Sequence, residues 1–206
     1  MIRLQKLLQL LSRLLLPFFL KIEIKNQERA LIIVRPLIIL ANHKSYTDHF
    51  ILIASFPKNT SLFPVRPIAK APLFEPLFGL SGKFLEALGA VRNTNPLKVI
   101  KILKNRGVIL IYPEGGIRPS PGIHNLEEGA AFLAIKTGAW ILPVAISGLE
   151  NFSATKTLLN PLNIFKKRRV KVFFGYPFRD IYSKHQSSLM PEIKEKLEKL
   201  YNSKAV

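Results

Sequence analysis

The 206-residue chain contains no cysteine, which excludes disulfide bonds and zinc sites built from thiolates. It has only 13 aspartate and glutamate residues against 31 lysine and arginine residues, so its formal net charge is +18. Such a balance indicates an anionic partner, which means nucleic acid, an anionic membrane or a phosphorylated substrate. With 48% apolar residues the chain is too hydrophobic to be disordered, and its length suits one domain with a real core.

Nucleic acid is the weakest of these partners, because the features that bind it are missing. The aromatic residues mostly lie inside apolar runs such as Phe173-Phe174, whereas a base-stacking surface needs them among lysines and arginines. The sequence has no zinc-finger spacing, no RNA-recognition motif and no basic region followed by heptads. We therefore expect membrane lipids and phosphorylated substrates as partners, with no nucleic acid and no metal site.

No apolar run reaches the roughly 20 residues that a membrane-spanning helix needs. The amino-terminal leucines recur at helical spacing, but Gln9, Ser12 and Arg13 interrupt them, Pro17 follows, and no small-residue cleavage site of a signal peptide comes after. The stripe consists of Leu4, Leu7, Leu8, Leu11, Leu14, Leu15 and Phe18. Such a helix either packs on the protein's own core or lies in a membrane interface with its leucines in the lipid. We favour the second interpretation, with residues 1–20 as an amphipathic membrane-associating helix of a peripheral protein on the cytoplasmic face.

Strand-like and helix-like segments alternate through the rest of the chain. Apolar or alternating runs predict strands at 21–25, 30–34, 37–41, 62–69, 108–112, 140–146 and 170–174. Cap and stop signals predict helices over 47–56, 95–105 and 125–138 and from Pro191 onward, and short helical turns over 72–79. This alternation is typical of an α/β fold, with a mostly parallel or mixed central sheet covered by helices. Because no linker or internal repeat is found, residues 21–206 are expected to form one domain.

The segment Asn-His-Lys-Ser-Tyr-Thr-Asp, at residues 42–48, follows a predicted apolar strand. If Ser45 caps the next helix, Asp48 lies in the first helical turn and can reach back to the His43 imidazole. A carboxylate on one ring nitrogen fixes the tautomer and leaves the other nitrogen free as a base. Two alternatives stay open. Asp48 only caps the helix, as in a capping box, or His49 is the base, although it points about 100° away from Asp48.

Two further segments place polar groups beside glycines or a helix start. Glu114, Gly115 and Gly116 follow a fully apolar predicted strand, which puts them at the carboxyl edge of the sheet, where α/β folds bind ligands. Glycine lets backbone amides approach an anionic oxygen closely. Arg92 precedes the helix predicted at 95–105, where a guanidinium and helix amides suit a phosphate. Each segment alone also fits a plain structural role, a tight turn in one case and a surface arginine in the other.

The order and spacing of these segments resemble the four sequence blocks of the glycerolipid acyltransferase superfamily, the 1-acylglycerol-3-phosphate acyltransferases. The matching elements are His43 with Asp48, Gly89 with Arg92, Pro113-Glu114-Gly115 and Leu142-Pro143-Val144. The segment 69–79 looks like the stretch before that family's second block, and the resemblance covers residues 36 to 150. It implies transfer of a fatty acyl group from acyl-CoA or acyl-carrier protein to the free hydroxyl of a lysoglycerolipid. The resemblance makes 1-acylglycerol-3-phosphate the first candidate acceptor, and it implies no cofactor.

By the same resemblance, His43 is the general base and Asp48 orients it. Arg92 would bind the phosphate of the acceptor, and Glu114 and Gly115 would help to hold the acceptor. Further candidate substrate-binding residues are Lys70, Gly116 and Arg118.

Two departures from the family pattern concern the acceptor. The family's third block reads Pro-Glu-Gly-x-Arg-Ser, whereas here Arg118 falls one place late, and the second block is shortened between Gly89 and Arg92. A different lysophospholipid or a neutral glycerolipid therefore stays open as the acceptor. A non-catalytic basic protein that binds membranes or nucleic acid also stays open. A hydrolase that uses Ser45 or Ser120 is disfavoured, because neither lies in a Gly-x-Ser-x-Gly elbow.

Overall fold

The computed structural model describes residues 1–32, 34–75, 80–152, 167–179 and 186–203. The strands are β1 (Leu20–Lys25), β2 (Leu37–Ala41), β3 (Val65–Ala69), β4 (Val91–Arg92), β5 (Val108–Ile111), β6 (Trp140–Ser147) and β7 (Arg168–Phe174). The α-helices are α1 (Ile2–Phe19), α2 (Asp48–Ser55), α3 (Leu80–Ala87), α4 (Pro96–Lys104), α5 (Gly129–Thr137) and α6 (Gln186–Tyr201). Short 3-10 helices cover Gln27–Leu31 and Ala71–Phe74. The predicted α/β class is confirmed.

The seven strands form one mixed sheet in the order β1-β7-β6-β2-β5-β3-β4. From β6 to β4 the neighbours are parallel, whereas β7 pairs with β6 in the antiparallel sense and β1 pairs with β7 in the parallel sense. β2 and β5 are neighbours that end at Ala41 and Ile111. The segments that carry His43 and Glu114 therefore leave the sheet side by side at its carboxyl edge, the usual ligand edge of such sheets.

The core lies on both faces of the sheet, and β2 is buried along its whole length. Leu37, Ile39 and Ala41 point to the face covered by α1 and α2. Ile38 and Leu40 point to the face covered by α4, α5 and α6. A strand that is covered on both sides needs apolar residues at every position. Polar and apolar residues therefore do not alternate along β2. This packing fixes the end of β2, and with it the start of the turn that follows.

The predicted strand at 30–34 is wrong. Asn26 has a left-handed φ of 57° and turns the chain into the 3-10 helix. Arg29 holds this helix against the sheet, because its guanidinium donates a hydrogen bond of 3.0 Å to the carbonyl of Phe174. Ala30 is buried, whereas Leu31 and Ile32 are about half exposed, so the described part of this segment adds no strand to the sheet; residue 33 lies outside the described residues. Of the short helical turns predicted over 72–79, the first part is present as a 3-10 helix, and residues 76–79 lie outside the described residues.

Two predicted helix starts are also wrong. α5 begins after Asn125, because the N–H of Glu127 donates to the carbonyl of Pro113 at 2.7 Å and ties this part of the chain to the loop after β5. α6 begins before Pro191, which lies inside the helix. Leu189 is buried at the same core face as the later apolar residues of α6, so helical packing extends one turn further back than the proline indicates.

The polar side of α1 packs against the domain, and most of its leucines face outward. Gln5 is buried, and its amide donates to the carbonyls of Val65 and Leu88, both at 2.6 Å. Gln9 donates to two carbonyls at the end of α2, at 3.0 and 3.2 Å, and Arg13 donates to a third at 2.8 Å. The exposed large apolar residues of the helix are Ile2, Leu7, Leu10, Leu11, Leu14, Leu15 and Phe18. Within the described ranges, no helix has the length and apolar character needed to cross a membrane.

Candidate active site

The turn after β2 brings the side chains of His43 and Asp48 into contact. His43 Nδ1 lies 2.8 Å from Asp48 Oδ2, and Asp48 is fully buried, whereas 18% of the His43 side chain is exposed. The same oxygen accepts hydrogen bonds from the backbone N–H groups of Lys44 at 2.5 Å and Ser45 at 2.9 Å. Asp48 thus holds the turn as a cap does, and it also orients the imidazole. With Nδ1 occupied, Nε2 is the nitrogen left to act on a substrate.

Ser45 does not cap α2, contrary to expectation. The helix begins at Asp48, and the Ser45 hydroxyl accepts a hydrogen bond from the N–H of Thr47 at 3.3 Å. The carboxylate of Asp48 satisfies the donors in the preceding turn instead. This arrangement places the carboxylate deeper than a serine cap would, next to the His43 ring.

The His43 ring lies flat on the ring of Tyr112, with the centroids 4.1 Å apart and 17° between the planes. Burial raises the pKa of the Tyr112 hydroxyl well above its usual value, so this ring stays neutral and adds no charge beside the imidazole. His49, the other candidate base, has its pKa lowered to about 4 by burial and by the neighbouring His43. The Asp48 carboxylate is paired with the ring of His43 and not with that of His49.

Glu114 is buried against the same turn. Its Oε1 accepts a hydrogen bond from the backbone N–H of His43 at 3.2 Å, while its Oε2 has no hydrogen-bond donor among the described residues. Burial raises the pKa of the Glu114 carboxyl, and the ammonium of Lys44, 3.8 Å from Oε2, opposes this rise. Gly115 has a left-handed φ of 66°, and a Cβ there would lie 1.8 Å from the Oε1 of Glu127. The tight turn therefore requires glycine at this position.

Lys70, Gly116 and Arg118 lie at the same edge of the sheet. A Cβ built on Gly116 would be 3.4 Å from the Nζ of Lys70, so the ammonium stands over this glycine. The backbone N–H of Arg118 donates to the carbonyl of His43 at 2.7 Å, while the side chain of Arg118 is exposed. The structure thus brings these three candidates beside residues 42–48, the candidate catalytic turn that carries His43 and Asp48.

Arg92 lies apart from this group. It is on β4, the third strand from β2, which at about 4.8 Å per strand is a lateral separation of roughly 14 Å. Its guanidinium is 3.9 Å from the carboxylates of both Glu75 and Glu86. It lines a cavity of about 480 Å³ together with two other cations, Arg66 and Lys98. The structure therefore does not bring Arg92 into the group around the catalytic turn.

Lys44 and Tyr112 are the site residues that sequence reasoning missed. Lys44 is buried, and its ammonium donates to the carbonyls of Ser120 at 3.0 Å and Gly122 at 2.5 Å. Nothing in the sequence indicates that this lysine turns inward, because its partners are far along the chain. Tyr112 does carry a usable signal, since an aromatic residue with a polar atom ends an otherwise aliphatic strand at the ligand edge.

The serine-hydrolase alternative has no complete Ser-His-carboxylate triad among the described residues. The hydroxyl of Ser120 lies 3.0 Å from the Nε2 of His124, but no described carboxylate forms an ion pair with that imidazole, and the hydroxyl of Ser45 is bonded within its own turn. Within the described part of the chain, no three histidine, aspartate or glutamate side chains cluster so that they could hold a metal ion.

Comparison with known proteins identifies the family of the chain. A family model described as Acyltransferase matches residues 21–147, more than half of the chain. The chain is 26% identical over 188 residues to the probable 1-acyl-sn-glycerol-3-phosphate acyltransferase of Mycoplasma pneumoniae, covering 87% of this chain and 70% of that one. It is 27% identical over 142 residues to human 1-acyl-sn-glycerol-3-phosphate acyltransferase beta, covering 66% of this chain and half of the human protein.

A solved structure shows the same fold. The crystal structure of the 1-acyl-sn-glycerophosphate (LPA) acyltransferase PlsC from Thermotoga maritima superposes with a TM-score of 0.72 at 20% identity, covering 98% of this chain and 81% of that one. The family expected from the sequence blocks is confirmed by the match over residues 21–147. The chain belongs to the acyltransferase family.

Proposed function

We propose that this acyltransferase moves a fatty acyl group from acyl-CoA or acyl-carrier protein to the free hydroxyl of a lysoglycerolipid, with 1-acylglycerol-3-phosphate as the acceptor. The observation that carries the proposal is the 2.8 Å contact between His43 Nδ1 and Asp48 Oδ2, on a ring that is partly open to solvent. The names of the Mycoplasma and human relatives support the choice of acceptor.

In this mechanism His43 Nε2 takes the proton of the acceptor hydroxyl as the hydroxyl oxygen attacks the thioester carbonyl. The C–O bond forms, the C–S bond breaks, and the imidazolium returns the proton to the leaving thiolate. Asp48 keeps the other proton on Nδ1 and stabilises the imidazolium. A positioned base of this kind contributes about 10² to 10⁴ in rate. Because the acceptor is itself the nucleophile, the reaction needs no acyl-enzyme and no cofactor.

The oxyanion of the tetrahedral intermediate needs hydrogen-bond donors that are not already occupied. The backbone N–H groups of His43, Lys44 and Ser45 donate to buried carboxylates in this structure. The N–H of Gly116, by contrast, donates to no oxygen of the described residues, and a glycine lets the carbonyl oxygen approach closely. We therefore assign the oxyanion to the amide of Gly116.

The acceptor phosphate fits the cations beside this glycine. Lys70 lies over Gly116, and the exposed side chain of Arg118 belongs to the next part of the same loop. Arg92 can bind the phosphate only if the phosphate replaces Glu75 and Glu86 as its ion-pair partner. This exchange costs little, because exposed ion pairs are weak. Another lysophospholipid or a neutral glycerolipid remains the alternative acceptor.

The outward face of α1 supports peripheral attachment to a membrane. Five leucines and Phe18 are exposed along this face, and the chain carries a net charge of +18. An apolar helical face inserts into the headgroup region, and positive charge adds attraction to anionic lipids. We place the protein on the cytoplasmic face, where the acyl donors would reach it.

The function is tested by incubating the pure protein with acyl-CoA, acyl-carrier protein and a panel of lysolipids and neutral glycerolipids, followed by lipid product analysis. We expect a diacylated phosphate lipid from the wild type and none from His43→Ala. His49→Gln is the matched control and should keep activity, because no carboxylate of the described residues pairs with His49. Near-normal turnover by His43→Ala would refute the mechanism. No product from any pair would favour a non-catalytic membrane-binding protein.

Membrane attachment is tested by vesicle flotation with anionic and zwitterionic lipids. The double variant Leu11→Gln/Leu14→Gln should lose most of its binding, because it removes the centre of the exposed face. Leu97→Gln is the control, since Leu97 is 77% exposed on another helix, α4. Equal flotation of the double variant and the wild type would contradict attachment through α1.

A further inference from the structure

The side chain of Lys44 enters the protein behind the catalytic turn, although Lys44 itself stands between His43 and Asp48 in the sequence. Its side chain is fully buried, as is that of Glu114. Buried lysine is rare unless its donors are satisfied and its charge is opposed. Here two of its three N–H groups have carbonyl partners, Ser120 and Gly122, and a carboxylate lies 3.8 Å away.

These contacts join three segments that meet only in the folded protein. The carbonyls that accept from Lys44 belong to the loop whose Arg118 N–H donates to the carbonyl of His43. Glu114, at the end of the neighbouring strand, accepts from the N–H of the same His43. The ammonium also lies 5.5 Å from the ring centroid of Tyr201, at the end of α6. Lys44 therefore contacts both groups that hydrogen-bond to the backbone of His43, namely the loop that contains Arg118 and the carboxylate of Glu114.

Each of the two buried charges shifts the pKa of the other toward its ionised form. Burial lowers the pKa of Lys44, while Glu114, Glu150 and Asp48 act in the opposite direction. Burial raises the pKa of Glu114, while Lys44, His43 and His124 act in the opposite direction. Without Lys44, only imidazoles and a backbone N–H would stabilise the ionised form of Glu114. Its pKa would rise, so the carboxyl would stay protonated up to a higher pH.

We propose that Lys44 is a positioning residue, whose ammonium keeps Glu114 ionised so that this carboxylate can hold the backbone of the catalytic turn. The assignment rests on the proposed function. Oε1 of Glu114 accepts the backbone N–H of His43 at 3.2 Å, and the buried Oε2, to which no described residue donates, lies 3.8 Å from the ammonium of Lys44. A neutral Glu114 would lack the charge that makes such a bond strong.

A purely structural role for Lys44 predicts a different result. In that case its loss would lower thermal stability and leave the pH dependence of the folded fraction's activity unchanged. If Lys44 acts through Glu114, replacement of Lys44 moves the acid limb of the pH profile. This shift occurs only in proteins that keep glutamate at position 114. The pH profile and the double variant therefore separate the two roles.

The experiment compares four proteins: wild type, Lys44→Met, Glu114→Gln and the double variant. Methionine keeps an unbranched side chain of similar length without charge or donors. The profile of kcat/KM for 1-acylglycerol-3-phosphate is measured from pH 5 to 9 with saturating acyl-CoA, and the KM for acyl-CoA is measured separately. Lys104→Met, an exposed lysine at the end of α4, is the matched control and should behave as the wild type.

We expect Lys44→Met to lower kcat/KM for the acceptor by about tenfold or more, since small displacements at a reacting centre reach 10² in rate. Its acid limb should move to higher pH by roughly one unit, the shift expected when an opposite charge at this distance is lost. In the Glu114→Gln background the same substitution should leave the limb in place. Equal effects in both backgrounds, or an unmoved limb in Lys44→Met, would overturn the assignment.

If Lys44→Met does not fold, the double variant takes its place, because it removes the uncompensated buried charge. A double variant with the acid limb of Glu114→Gln and a melting temperature no lower than that of Glu114→Gln then supports the assignment. A limb that moves between these two proteins, or the lower melting temperature that a purely structural role predicts, overturns it. Failure of the proposed function is a separate outcome, seen as inactivity of the wild type with every donor and acceptor.

Discussion

The substitution Asp48→Asn tests the central contact of the site while disturbing its geometry least. Three donors converge on Oδ2 of Asp48, namely His43 Nδ1–H and the backbone N–H groups of Lys44 and Ser45. Oδ1 has no partner among the described residues. An asparagine can place its amide oxygen where Oδ2 lies and its NH₂ group where Oδ1 lies. The hydrogen bonds and the tautomer of His43 are then kept, and only the negative charge is lost.

The expected magnitude follows from that charge. Two opposite unit charges about 4 Å apart attract by about 4 kcal/mol at an effective dielectric constant of 20. The imidazolium of His43, formed as it takes the proton, loses this attraction in the variant, and 4 kcal/mol corresponds to a factor of about 10³ in rate. That value lies within the range of about 10² to 10⁴ that a positioned base supplies. We therefore expect kcat to fall by about 10³, with little change in the KM for the acyl donor.

Stability should change much less than activity. Exchange of a charged acceptor for a neutral one weakens each of the three hydrogen bonds by about 1 kcal/mol. Relief of the desolvation penalty of a buried carboxylate, several kcal/mol, acts in the opposite direction. A melting temperature within a few degrees of the wild type is therefore expected, and it would show that the loss of activity is not unfolding.

The assay can use a thiol reagent to follow released CoA, because the chain has no cysteine that would react. Glu195→Gln is a matched control, since it removes a solvent-exposed carboxylate from α6. A folded Asp48→Asn protein that keeps more than about a tenth of the wild-type kcat would show that the charge of Asp48 does not stabilise the imidazolium to the expected extent.

Three other substitutions probe the fold and the acceptor. Gly148→Ala should prevent stable folding or lower the melting temperature strongly, because Gly148 has a φ of 93° and a Cβ there would lie 2.1 Å from the carbonyl oxygen of Arg169; a melting curve like that of the wild type would contradict this. Gln9→Leu should lower the free energy of unfolding by about 1 to 3 kcal/mol, measured in urea, because the carbonyls of Ile53 and Phe56 at the end of α2 each lose one of their two donors. Lys70→Gln should raise the KM for a phosphate-bearing acceptor and leave that for a neutral glycerolipid unchanged, because the Lys70 ammonium lies over Gly116; equal KM values in variant and wild type would remove Lys70 from the acceptor site.

The catalytic turn could be predicted from the sequence because its determinants are local. An apolar strand covered on both faces must end where polar residues begin, and that places His43 just beyond the sheet edge. Asp48, five residues later, is within reach through a single turn. Glu114 follows from the same rule applied to β5. The long apolar runs and their order along the chain likewise determine the α/β class.

The missed features depend on contacts between distant parts of the chain. The partners of Lys44 in the loop after β5 lie more than 70 residues away, so no pattern around the lysine indicates them. The separation of Arg92 from the catalytic turn has the same origin. Its position relative to the turn depends on the strand order β2-β5-β3-β4, which neither the spacing of the blocks nor the composition reveals.

The orientation of α1 shows why a periodic pattern alone is ambiguous. Helical spacing identifies a leucine stripe and a polar stripe but does not say which one meets the domain. The last carbonyls of α2 have no partners within their own helix and need donors. Gln9 and Arg13 supply those donors, so the polar stripe is the one that binds the domain, while Leu8 and Leu16 pack at its margin. Because the polar stripe bonds to the domain, the remaining leucines face outward, and the orientation that supplies donors to the end of α2 also leaves an apolar face of α1 exposed.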